Sequence, residues 1–138
     1  MRSICALVFF GIVFSVYPQE EKVDPPQIAI KIQLGETITL DGTQITFSEV
    51  LEDSRCPREV QCVWAGSARV KITIALDREN ASSRELIFGA IRQGETSNNL
   101  VAETDDFHYE AIGISPYPQV PGEELDYSLL VKKVKKEN

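Results

Sequence analysis

Histidine, cysteine and tryptophan are scarce in this chain: its 138 residues hold one His, three Cys and one Trp. A zinc site built from His and Cys would use up nearly all of them, so no metal or other cofactor is expected. Basic residues are also few, 14 Lys and Arg against 21 Asp and Glu, giving a formal net charge of -7. Phosphate backbones need a basic face, so nucleic acid is not an expected partner. No G-x-S-x-G elbow, H-E-x-x-H pair or phosphate-binding glycine loop occurs, which removes the commonest catalytic signatures. Helical periodicity and internal repeats are absent as well. What remains is an ordinary apolar fraction, 43%, which argues against wholesale disorder and suffices for one domain.

One long apolar run does occur. Residues 4–16 (ICALVFFGIVFSV) carry no charge and follow Arg2. As a helix this run would span roughly 20 Å, short of the ~30 Å hydrocarbon core. Small residues, Val13 and Ser15, and then polar ones, Gln19 to Lys22, follow the pattern of a cleaved export signal. The expectation is a signal peptide over 1–18, a polar linker over 19–27, one β domain over 28–135 and a charged tail over 136–138. Contact with the membrane would be transient, through the signal alone. Export to a periplasmic or secreted location removes Cys5 and leaves an even pair, Cys56 and Cys62, in an oxidising compartment. A bond between them would close the loop CPREVQC and stabilise the fold by about 2–3 kcal/mol in the chain-entropy model. A redox pair would more typically be C-x-x-C at a helix start, and zinc would need two further ligands.

From residue 28 the chain reads as short strands. Ile28, Ile30, Ile32 and Leu34 alternate with polar residues at a period of two. Asp41-Gly42 sits between β-rich stretches, and a two-residue loop there pairs Leu40 with Thr43 and Ile38 with Ile45. Residues 49–66 lack periodicity. A strand then places Ala68, Val70, Ile72, Ile74 and Leu76 inward, and residues 77–83 read as a polar turn holding the sequon Asn80-Ala81-Ser82. Further strands are expected over 84–89, 107–114 and 126–134, with a polar connection over 90–99 and a Pro-rich loop over 115–122. That pattern predicts an all-β, antiparallel sandwich or small barrel of about seven to eight strands with one disulfide.

Charge is uneven along the chain. No Lys or Arg lies between Gln93 and Val131, and four lysines follow from Lys132. The acidic half reads as a solvated surface, with a cationic partner or calcium as the alternative; the basic end reads as a charged terminus blunting an edge strand. Asp106, His108 and Glu110 would share one strand face, the weak candidates for a metal site or for carboxylate chemistry of the kind a hydrolase uses.

One segment stands apart: Asp53-Ser54-Arg55-Cys56-Pro57, then Cys62-Val63-Trp64-Ala65-Gly66. It resembles a family of small exported bacterial domains marked by DSRCP and CVWAG, which also carry a PYP element before the last strand, here Pro116-Tyr117-Pro118. The resemblance runs with gaps over residues 38–134. It implies export and an all-β fold but brings no established activity and no catalytic residue. Relatives are often lipid-anchored through a cysteine after the apolar run, and none stands there in this chain.

The residue types of the segment have their own logic. Asp53 and Ser54 suit the start of a tight turn. Arg55 has five donors with which to clamp carbonyls or pair with Asp53 or Glu52. Trp64 would pack on the disulfide or cap the core, and Gly66 permits a bend. A rigid loop carrying Arg55, Arg58 and Trp64 would also make a binding surface, with Tyr117 counted among its contact residues, because such residues dominate interface energetics. The functional expectation is an exported non-catalytic module that binds a protein or envelope component. An envelope hydrolase and a purely structural or assembly domain are the alternatives.

Overall fold

The computed structural model describes residues 29–76 and 80–136. The apolar run at 4–16, the linker, Ile28, the first three residues of the 77–83 turn and the last two residues lie outside them. Eight strands follow in order: β1 (Ala29–Gln33), β2 (Thr37–Leu40), β3 (Thr43–Asp53), β4 (Ser67–Ala75), β5 (Ala81–Gly89), β6 (Leu100–Glu103), β7 (Phe107–Ser115) and β8 (Ser128–Lys135). They form two four-stranded antiparallel sheets, ordered β1-β8-β7-β6 and β2-β3-β4-β5. Among the described residues there is no helix, hence none long and apolar enough to cross a membrane.

The inward faces supply the core: Ile32, Ile45, Phe47, Val70, Ile72, Leu86, Leu129 and Val131 are fully buried. Each such side chain contributes about 1.5–3 kcal/mol through removal from water. The β2–β3 hairpin has the expected register, with Leu40 opposite Thr43 and Ile38 opposite Ile45. Asp41 and Gly42 both have positive φ (46° and 85°), as a two-residue hairpin turn of this kind requires.

Strand β3 runs further than its pattern suggests. Register shifts fall between Phe47 and Glu49 and between Val50 and Glu52, where Ser48 and Leu51 are the extra residues of two bulges. The inward positions are therefore Thr43, Ile45, Phe47, Val50 and Asp53, a spacing that leaves a period of two after Phe47. A third bulge in β7, between Ala111 and Gly113, turns Ile112 out to solvent.

Other expectations change at the margins. Leu76 lies beyond β4 and is exposed, because the strand ends at Ala75. Strand β5 starts at Ala81, so the sequon enters a strand after Asn80 instead of lying wholly in a turn. The lysine-rich β8 is no edge strand; it lies between β1 and β7. Lys132 pairs with Glu110 of the acidic half (3.1 Å), as does Lys136 with Glu103 just past the strand (2.7 Å), while Lys133 reaches Asp41 (3.2 Å).

Candidate functional site

The loop over residues 54–66 leaves β3 and returns into β4 at one end of the sandwich, where β7 also ends and β8 begins. Its base is tied by backbone bonds from Ser54 to the Ser67 carbonyl (2.8 Å) and from Cys56 to the Ala65 carbonyl (3.0 Å). The Ser54 hydroxyl adds a bond to the Ser67 carbonyl (3.0 Å) and accepts one from the Ser67 N–H (3.2 Å). The Cys56–Cys62 disulfide closes the loop with Cα atoms 5.9 Å apart. Pro57 starts a turn in which the Val60 N–H reaches its carbonyl (3.2 Å).

A second loop lies alongside the first. The N–H groups of Arg58 and Glu59 donate to the carbonyls of Pro118 (3.1 Å) and Gln119 (3.0 Å). The Tyr117 hydroxyl donates to the Cys56 carbonyl (2.9 Å). Thus the DSRCP segment and the PYP element form one unit. The Ser115–Pro116 peptide is cis, and Pro118 is buried.

Asp53 and Arg55 sit at the centre of that unit. The Arg55 Nε and Nη2 donate to the two Asp53 carboxylate oxygens (2.8 and 2.7 Å), a bidentate pair. Nη1 also donates to the Ile114 carbonyl (3.2 Å), and Nη2 to that of Pro116 (3.0 Å). Arg55 thereby joins the end of β3 to the end of β7 in the other sheet. With its side chain only 8% exposed, it is the clamp its donor count suggested and an inner wall of the site, not a freely offered contact. Tyr127 completes the group by donating to Asp53 (3.0 Å). Burial raises the Asp53 pKa, but the Arg55 and Tyr127 hydrogen bonds outweigh it and hold the carboxyl below its ordinary value. Burial, then the adjacent Asp53, pushes the Tyr127 phenol up.

Gly66 is fixed by space as well as by its φ of 72°: a Cβ there would lie 1.8 Å from the Ser54 carbonyl oxygen. Gly89 meets the Gly66 carbonyl in the same way, at 2.8 Å. This close backbone approach opens an apolar groove of about 530 Å³, floored by Phe88, Gly89, Gly113 and Ile114 and walled by Arg55 and Tyr117. Beside it Val63 stands fully in solvent and Trp64 is half-exposed. Arg58 is exposed, its guanidinium 5.3 Å from the centre of the Tyr117 ring.

The other candidates do not converge. Asp106 is exposed ahead of β7, and Glu110 is paired with Lys132. His108 is half-buried opposite Val134. Among the described residues no three His, Cys, Asp or Glu side chains stand close enough to hold a metal ion. Sequence reasoning missed Phe88, Gly89, Gly113 and Tyr127. A glycine inside the apolar run of β7 was the available signal, since mid-strand glycines mark bulges and close approaches; Tyr127 offered none. No protein-family model, curated protein or solved structure matches the chain.

Proposed function

We propose that this protein is an exported, non-catalytic binding module whose contact surface is the pair of loops at 54–66 and 115–122. The run at 4–16 supports export, and the disulfide is compatible with an oxidising compartment. The observation that carries the binding reading is the distribution of exposed apolar side chains. Of ten large ones exposed among the described residues, Val60, Val63, Trp64, Tyr117 and Val120 all belong to these two loops. Single exposed apolar residues are ordinary, whereas a cluster on one end marks an interaction surface.

The buried clamp beneath supports the same reading. Loops held by a disulfide and by Arg55 lose little conformational freedom on binding, so more of the contact energy appears as affinity. Arg58 adds a cation that has no carboxylate partner among the described residues, next to an aromatic ring. Arg, Trp and Tyr are the types that concentrate interface energy.

The test is capture from an envelope extract on the immobilised protein, repeated with Arg58→Glu and with Trp64→Ala. Proteins retained by the wild type are expected to be lost from both variants. Equal retention by all three would place the binding surface elsewhere.

A further inference from the structure

The motif end carries both halves of a complementary pair. Val63 and Trp64 form an apolar knob that stands in solvent, and the groove between Phe88, Gly113, Ile114 and Tyr117 is an apolar hole of about 530 Å³. Trp64 does not line the hole of its own chain. The same end has exposed charges of both signs, Arg58 and Glu59 on the first loop and Glu124 and Asp126 on the segment that leads into β8, all without ion pairs among the described residues. A face bearing knob, hole and charges of both signs meets the requirement for two-fold pairing, in which each surface patch must complement itself. The surplus of acidic groups makes an anionic lipid surface a poor alternative, since that needs a basic patch.

We propose that the groove receives Trp64 from a second copy of this chain, so that two molecules pair end to end about a two-fold axis. This rests on the binding reading above and names the partner. Covering the exposed half of both Trp64 side chains removes roughly 200 Å² from water, and Val60, Val63, Tyr117 and Val120, exposed on the same two loops, extend the contact. Such a contact is smaller than a standard specific interface, so pairing is weak, with Kd of micromolar or above.

The chain contains one tryptophan, which makes Trp64 its own reporter. The experiment is sedimentation of the protein as recovered from its source, from low micromolar to near-millimolar concentration, with Trp64 emission and acrylamide quenching recorded on the same samples. The expected result is a rise from one chain to two, with a parallel blue shift and protection of Trp64. Gly113→Leu is the blocking variant: a Cβ at Gly113 meets nothing within 4 Å, and its backbone is unstrained. Trp64→Ala removes the knob from an exposed position and checks the conclusion independently of Gly113. Each is expected to weaken pairing about tenfold or more, as loss of a central anchor does.

A single-chain mass at every concentration overturns the proposal, as does a dimer in which Trp64 stays exposed or which Gly113→Leu leaves intact. If the chain is monomeric yet still retains a partner through Arg58 and Trp64, self-pairing fails while the binding reading stands. If that retention is missing too, both fail.

Discussion

At the hairpin end of the sandwich, Asp41 accepts hydrogen bonds from Tyr109 (2.5 Å) and Lys133 (3.2 Å) of the opposite sheet. At the motif end, Asp53 accepts them from Tyr127 (3.0 Å) and from Arg55, whose guanidinium continues to the Ile114 and Pro116 carbonyls. Both ends thus join the sheets with a carboxylate, a tyrosine hydroxyl and a cation. They differ in enclosure. The side chains of Asp41 and Lys133 are 43% and 38% exposed, against 9% and 8% for Asp53 and Arg55. An exposed latch is screened by water and salt and contributes little. An enclosed one is highly sensitive to loss of a partner, because the remaining charge stays buried. The enclosed latch lies under the two long loops, where exposed apolar side chains must be held in place; the exposed one serves a two-residue turn that needs no such support.

The sharpest way to break this contrast is at glycine. Gly66→Ala drives a Cβ into the Ser54 carbonyl, whereas at Gly42 a Cβ meets nothing within 4 Å although φ is 85°. Urea unfolding is expected to show a loss of roughly 3–5 kcal/mol for the first and about 1 kcal/mol, from the left-handed backbone alone, for the second. Equal losses would erase the distinction between the ends.

The carboxylates come next. Asp53→Ala leaves Arg55 buried without its partner and is expected to cost roughly 3 kcal/mol, against a smaller effect for Asp41→Ala, of which the Lys133 part is lost in high salt. Acid titration sharpens the difference. The Asp53 pKa is lowered in the folded protein, so the unfolded chain takes up this proton first. Its stabilisation is complete above the ordinary carboxylate value of about 4 and is lost as pH falls through the lower folded value. Asp53→Asn is expected to flatten that acid limb of the melting curve even in high salt. The Asp41 pKa is also lowered, by Tyr109 first and then Lys133, and its part of the acid limb is expected to shrink as salt is added.

Reduction of Cys56–Cys62 acts on the motif end alone. It is expected to cost about 2–3 kcal/mol and to free the loop at 54–66, while backbone amide protection at the Asp41–Gly42 turn stays as it was. Hydrogen exchange on reduced and oxidised protein checks both halves of that expectation.

The hairpin end was also the more legible in sequence. A strict period of two around Asp41-Gly42 gave the register of β2 and β3, because nothing there departs from a regular ladder. The second half of β3 was hidden by its bulges at Ser48 and Leu51. Strand β6, only Leu100–Glu103, is held by β7 and has too few residues to show a period. At the motif end the chemistry was legible in kind: an arginine beside Asp53, a disulfide, a glycine needed for a bend. Its targets were not, because the Ile114 and Pro116 carbonyls lie 59 and 61 residues away and such pairings leave no local pattern. The groove was invisible for the same reason, since the 54–66 loop, β5 and β7 each contribute to its lining.

Residues that hold the motif end are distinct from residues that the end displays, and Trp64→Ala separates the two. Its unfolding midpoint is to be measured by circular dichroism beside that of Gly66→Ala, with association of both folded proteins followed by sedimentation. Trp64→Ala is expected to unfold within about 1 kcal/mol of wild type while losing association. A Trp64→Ala protein as destabilised as Gly66→Ala, with association intact, would contradict that distinction.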